Sequence, residues 1–346
     1  MIEKVFNFSL DVTWQLIQKM SQLDRFDAQW NTIEKREGQS LKQLKAIATV
    51  RSVGASTRIE GSRMTNEEVE NLLNNLKITK LVERDQQEVA GYFEVLDIIG
   101  ESYNDIQITS NDIKNLHNLL LKHSEKDTWH KGDYKQVSNS VEATLPDGTK
   151  QIIFQTTEPG YPTDEAMRNL IDWYNRQDDI HPLVRCAAFV YEFVSIHPFQ
   201  DGNGRMSRLL STLLLLKNGY KWIQYVSLEH EIESRKVEYY RALRTCQAER
   251  PEENISVWVD FFLGALANIQ DQLMKKMETQ SSRNLLSARA KAILLYIENH
   301  PDSRSGQIAA GLGIPSSSVK RILSELYEKH LILRLGEDNH PFYEIV

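Results

Sequence analysis

Cysteine is nearly missing from this chain of 346 residues: only Cys186 and Cys246 occur, far apart and with no Cys/His cluster beside either. That excludes a disulfide framework, argues against a structural zinc site, and fits a reducing compartment such as the cytoplasm. Long apolar runs are missing too. The most apolar stretch, Leu209 to Leu216, is interrupted by Ser211 and Thr212 and falls far short of the roughly 20 residues needed to cross a bilayer. It reads as a buried helix. The first residues, Met1-Ile-Glu-Lys-Val-Phe-Asn-Phe, lack a basic region followed by an apolar run and a small-residue cleavage site, so no export signal is expected. Excess charge of one sign is modest: 41 basic against 48 acidic residues leave −7, which argues against a surface that tracks nucleic-acid phosphates over its whole extent.

What is present is ordinary globular material, 41% hydrophobic and 26% charged, in a chain long enough for two or three domains. The N-terminal part is helical by pattern. Leu41, Leu44, Ile47 and Val50 recur at helix spacing, Gly61 supplies a stop, and Thr65-Asn-Glu-Glu68 supplies a capping box for the next helix. Between Asp133 and Glu158 the texture changes. Val137, Val141 and Ile152-Ile-Phe154 flank Leu145-Pro-Asp-Gly148, which predicts a β-hairpin or flap. Helical spacing then resumes, runs from Leu183 to Val194, breaks at His197-Pro198, and resumes from Gly204 to Lys217. A long amphipathic stretch, Asn254 to Met277, precedes polar Glu278-Thr-Gln-Ser-Ser-Arg283, which reads as a linker.

The remainder reads as a separate unit: helices over Ala288–Asn299, Arg304–Ala310 and Ser316–Lys329, a Gly-rich turn between the last two, and a β-wing after Leu331. This is the pattern of a winged helix-turn-helix. From Arg283 onward it carries eight basic and seven acidic residues, a weak electrostatic footprint for DNA.

The chemistry concentrates between His197 and Arg208. Asp201-Gly-Asn-Gly-Arg205 stands directly before an apolar helix, where glycines let backbone N–H groups converge, the helix start adds positive partial charge, and Arg205 and Arg208 can grip phosphate oxygens. Asp201 is a hard carboxylate suited to Mg2+, and His197 can take a proton from a hydroxyl near neutral pH. Taken singly, a His before Pro is more often a cap and Asp-Gly-Asn-Gly more often a surface turn.

Together, His197-Pro-Phe-Gln-Asp-Gly-Asn-Gly-Arg-Met-Ser-Arg208 resembles the signature of the Fic family, and every specified position is present. The resemblance extends over roughly Ile113 to Gln247. It implies a mainly α fold: a Fic-type helical core with a β-hairpin flap, followed here by the winged helix-turn-helix. The expected regions are 1–108 (N-terminal helices), 109–280 (Fic core) and 284–346 (winged helix). The implied activity is transfer of AMP from ATP to a Ser, Thr or Tyr hydroxyl of a protein. His197 would be the base and Asp201 the Mg2+ ligand, while Gly202, Asn203, Gly204, Arg205 and Arg208 hold phosphates. Phe199 anchors the loop in the core. Tyr239, Tyr240 and Gln247 match the family's adenine-side helix by position; two tyrosines serving as core and surface aromatics is the competing reading. The hairpin over Gln136–Phe154 resembles the flap on which an extended target segment docks. Ser56-Thr-Arg-Ile-Glu60-Gly61 resembles an inhibitory helix, in which Glu60 would pair with Arg208; Glu60 could also orient a water for removal of AMP. Self-modification and a homo-oligomer stay open, no membrane contact is expected, and a DNA-binding regulator that uses the Fic core as nucleotide sensor is the alternative from another class.

Overall fold

Residues 8–36, 38–144, 150–284, 286–300, 302–336 and 341–345 are described by the structure, a computed structural model of the chain. Two compact units divide the chain after Gln270. The first opens with α1 (Trp14–Arg36), α2 (Gly38–Ile59), α3 (Asn66–Asn74), α4 (Arg84–Ser102) and α5 (Ser110–Leu120). A hairpin of β1 (Ser140–Thr144) and β2 (Lys150–Gln155) follows, then α6 (Tyr161–Arg176), α7 (Pro182–Ile196) and α8 (Asn203–Lys217). A 3-10 turn (Lys221–Tyr225), α9 (Leu228–Ser234), α10 (Lys236–Gln247) and the start of α11 (Ser256–Asn284) complete it.

Local chemistry accounts for these boundaries. Thr65 accepts from the Glu68 amide at 3.2 Å while Glu68 accepts from the Thr65 amide at 2.8 Å, so the expected capping box opens α3. Thr109 and Ser227 cap α5 and α9 in the same way, each satisfying an amide that the helix itself leaves free. Gly61, at φ +108°, turns the chain out of α2 in a conformation that favours glycine. The helices α7 and α8 are buried nearly all round, and Phe189, Phe193, Leu209, Leu210, Leu213 and Leu214 are fully buried. Helices of that kind belong at the centre of a core, and each such side chain contributes about 1.5–3 kcal/mol by leaving water. The segment that joins them is therefore held from both sides by the best-packed part of the molecule.

The hairpin is antiparallel, from Ser140 opposite Gln155 to Thr144 opposite Lys150, with an irregularity between Val141 and Glu142. Its expected Leu145-Pro-Asp-Gly148 turn lies outside the described residues.

In the second unit, α12 (Ala288–Asn299), β3 (Ser303–Arg304), α13 (Ser305–Leu312), α14 (Ser316–Glu328), β4 (Ile332–Leu335) and β5 (Phe342–Ile345) enclose Ile293, Ile308, Val319, Ile322 and Leu326. The sheet order is β3-β5-β4. This is the expected helix-turn-helix with a wing, and Gly313 at φ +63° makes the turn. One expectation fails: residues 278–283, read as a linker, are helical within α11. The segment is polar but contains neither Gly nor Pro, so nothing in it stops a helix already under way. Among the described residues no helix is long and apolar enough to cross a membrane.

Candidate active site

The loop between α7 and α8 begins with strain. His197 ends α7 in the left-handed region at φ 54°, its amide donating to Phe193 O at 3.0 Å. Such a conformation costs a residue other than glycine of the order of 1–3 kcal/mol and persists only where the surroundings over-determine it. They do so here. Phe199 is fully buried and stacks on His117, with ring centroids 3.7 Å apart. Asn203 accepts from the Phe199 amide at 2.9 Å and donates to its carbonyl at 2.7 Å. Asn203, expected to hold phosphate, thus commits its side chain to closing the loop. Gly202, at φ 80°, then caps α8 and leaves that helix's first amides facing the loop.

Burial holds the His197 imidazole near a pKa of about 4, helped by the positive charge of Lys135. It is therefore neutral at pH 7. Its Nδ1 lies 3.4 Å from Val194 O, a long contact with an acceptor that places the proton on Nδ1 and leaves the Nε2 lone pair available. Burial alone would raise the Asp201 carboxyl, but Arg205 and the Gly202 amide more than offset it and hold it below the ordinary aspartate value. Oδ1 accepts from the Gly202 amide at 2.6 Å and lies 3.4 Å from Arg205 Nη2; Oδ2 is 4.0 Å from Arg84 Nη2. Arg205 is almost wholly buried, with Nη1 3.6 Å from Glu88 Oε1, and its Nε and Nη1 make no hydrogen bond. Unsatisfied buried donors on a guanidinium suit an anion.

Glu60 reaches this loop from the end of α2. Its Oε1 accepts from Arg208 Nη2 at 2.7 Å, and Arg208 also donates to Ser56 Oγ at 2.8 Å and Ser56 O at 3.0 Å. Burial would raise the Glu60 carboxyl, but Arg208 holds it below the ordinary value. Gly204 makes room for this contact, because a Cβ there would overlap Glu60 Oε1. The end of α2 is itself pinned: Arg58 Nε and Nη2 donate to Glu233 at 2.7 and 3.0 Å, and Lys236 Nζ donates to Ile59 O at 2.7 Å.

The structure brings His197, Asp201, Gly202, Gly204, Arg205, Arg208 and Glu60 together. Tyr239 and Tyr240 lie close enough to Glu60 and Arg208 to feel both charges. Tyr239 is buried against Trp258 and Phe261, which is the core role weighed for it. Gln247 donates to Ser195 Oγ at 3.0 Å and so ties α10 to α7.

Sequence reasoning missed three supports. His117 accepts from the Gly132 amide on Nδ1 at 3.0 Å, so its Nε2 carries the proton donated to Asp201 O at 3.0 Å. Burial keeps it neutral, near a pKa of about 4. Its spacing with Ile113, Leu116 and Leu120 was visible, and reads as a core histidine. Glu88 and Lys135 gave no signal at all.

For magnesium, the donor set is a single carboxylate: among the described residues no group of three or more His, Cys, Asp or Glu could hold a metal. That fits an ion taking one protein carboxylate and completing its shell with substrate phosphates and water.

Fold and site together define a helical protein with a loop of converging amides and arginines at the start of its central helix. Residues 107–215 match the model of the Fic/DOC family, and residues 288–334 match that of the IclR helix-turn-helix domain. The central part of the chain is thus similar to the Fic/DOC family. A curated relative, the protein adenylyltransferase Fic of Drosophila willistoni, is 25% identical over 310 residues, covering 84% of this chain and 57% of the relative. The chain spans about half the length of the curated relatives it matches. Among solved structures, a Fic family protein from Desulfovibrio desulfuricans G20 is 23% identical with a TM-score of 0.64, covering 97% of each chain. A Fic domain containing signaling protein from Bacteroides thetaiotaomicron is 24% identical with a TM-score of 0.55, covering 74% of this chain and 91% of its own. Both support the mainly helical fold, and the C-terminal helix-turn-helix is supported by its own family match.

Proposed function

We propose that this chain is a protein adenylyltransferase that moves AMP from ATP onto a Ser, Thr or Tyr hydroxyl of a target protein, releasing pyrophosphate, and that Glu60 restrains it. The observation that carries this reading is the meeting of a neutral, partly buried His197 with the amides and arginines of a loop inside the segment that matches the Fic/DOC model. The adenylyltransferase names of the curated relatives support it.

In this reading His197 Nε2 takes the hydroxyl proton as oxygen attacks the α-phosphorus in line, and the bond to the β-phosphate oxygen breaks. Arg205, the first amides of α8 and Arg208 hold the phosphates where charge builds on the leaving group. Magnesium, held by Asp201 and the phosphates, would neutralise part of that charge. The same site serves removal of AMP when Glu60 orients a water. The backbone of β1 or β2 offers an edge to an extended target segment. The helix-turn-helix match leaves duplex DNA or a protein as the contact of the second unit; reading the whole chain as a DNA-binding nucleotide sensor is not favoured by the relatives.

Incubation with labelled ATP and a lysate, followed by mass spectrometry, tests this reading. His197→Ala should nearly abolish AMP transfer while ATP binding persists; transfer undiminished in that variant would overturn it.

A further inference from the structure

We infer that Lys135, which lies outside the His197–Arg208 signature, is a positioning residue that locks the base of the flap to the backbone around His197. This inference rests on the transferase reading of that histidine.

The ammonium of Lys135 spends all three protons on neutral acceptors: Asn139 Oδ1 at 2.8 Å, Thr156 Oγ1 at 2.8 Å and Ile196 O at 3.2 Å. Asn139 directly precedes β1, Thr156 directly follows β2, and Ile196 directly precedes His197. Thr156 Oγ1 also lies 2.8 Å from Asn139 O, so the two feet of the hairpin are stitched to each other. The remaining contacts repeat the theme. Lys135 N donates to Pro198 O at 2.8 Å, and Asn139 Nδ2 donates to Phe199 O at 2.9 Å. Three carbonyls that bracket His197, those of Ile196, Pro198 and Phe199, are thus all held by Lys135 or Asn139. The left-handed backbone of His197 needs that restraint. Any segment docked on the flap then inherits a fixed register toward the base.

A buried lysine whose hydrogen bonds are all to neutral groups is costly compared with an apolar side chain of similar volume, which invites a role for the charge. Burial lowers its pKa to about 8, against the opposing pull of Glu158, so it is charged at pH 7. Among the groups facing His197, Lys135 from the flap base disfavours a second positive charge, while Glu60 from the end of α2, Asp201 from the loop and the Val194 carbonyl from α7 favour it. Burial does most to keep the base free of a proton, and Lys135 is the member of that set that adds to it.

The test uses the full chain carrying Glu60→Gly, with two readouts: the pH profile of AMP incorporated into the chain itself from labelled ATP, and the titration of the His197 imidazole by NMR. Lys135→Met should move the acid limb of the profile and the imidazole pKa up by about one unit, cut incorporation at pH 7 at least tenfold, and speed deuterium exchange of the β1 and β2 amides. Lys135→Arg should restore the acid limb. Thr156→Val, which keeps the charge and removes the hydroxyl that meets both Lys135 and Asn139, should speed exchange in the hairpin without moving the limb. An unshifted imidazole together with unchanged hairpin exchange in Lys135→Met overturns the inference, as does Lys135→Arg behaving like Lys135→Met. If Lys135→Met does not fold, Thr156→Val decides, and unchanged exchange there overturns the inference. Should the Glu60→Gly parent transfer no AMP at any pH, the transferase reading fails, and the imidazole titration still decides the role of Lys135.

Discussion

Glu60→Gly is the perturbation whose size the structure constrains best. It removes a charge-assisted hydrogen bond of 2.7 Å to Arg208 Nη2, an interaction of about 1.5–3 kcal/mol in a protected setting. The Glu60 side chain is 32% exposed although Arg208 is only 2% exposed, so the lower end, about 1.4 kcal/mol after solvent screening, is the better expectation. If that energy now holds the guanidinium away from phosphate, its release raises AMP incorporation about tenfold. The guanidinium is not abandoned, because Ser56 still accepts from Nε and Nη2; the variant should therefore fold. The sign with pH follows from the carboxyl being held below its ordinary 4.5. The stabilisation from the ion pair is complete above that value and fades only as pH falls through the lowered folded one, so the gain should be level between about pH 6 and 8. The assay is incorporation of label from ATP with target present. Equal incorporation by wild type and Glu60→Gly, both folded and binding ATP, would refute the argument, and so would a gain that survives unreduced in Glu60→Gly with Arg208→Ala.

Three further outcomes are expected. Asp201→Ala should weaken ATP binding in the presence of Mg2+ more than in its absence; calorimetry showing equal losses would remove Asp201 as the metal's ligand. Asn203→Ala deletes two buried hydrogen bonds to Phe199, leaving its amide unpaired and its carbonyl with Asn139 alone, so it should lower stability by about 1–3 kcal/mol in denaturant titration, where no measurable loss would contradict the clamp. Lys320 and Arg321, both exposed near the start of α14, should give only weak, salt-sensitive binding to duplex DNA, and a sequence-specific nanomolar site at physiological salt would reverse that expectation.

The parts of the site legible in sequence are those whose physics is local. His197-Pro198 had to end a helix, glycines had to free the loop, and an apolar run had to follow as a buried helix. Thr65 to Glu68 announced its capping box for the same reason. The pairing of Glu60 with Arg208 spans 148 positions and became visible through the family resemblance alone. His117, Glu88 and Lys135 act through partners 84, 117 and 61 positions away, and no spacing rule reports such contacts. Asn203 is a subtler case, a residue correctly placed in the loop whose side chain is occupied with the Phe199 backbone, so that only its amide faces the loop. The helical 278–283 segment shows that polarity without a breaker does not mark a boundary.

The missing side chain at Gly204 ties two apparently separate traits into one inheritance. The volume a Cβ would need is already filled by the Glu60 carboxylate, and since that group is the far end of a flexible side chain, it would give way before the helix did. A larger residue at position 204 would thus push the Glu60 carboxylate off Arg208, inside the loop proposed to hold phosphate. In a lineage that had accepted a larger residue here, a glutamate at the end of α2 would bring no restraint, and selection would have nothing to preserve at position 60. The restraint proposed for Glu60 therefore depends on position 204 staying small.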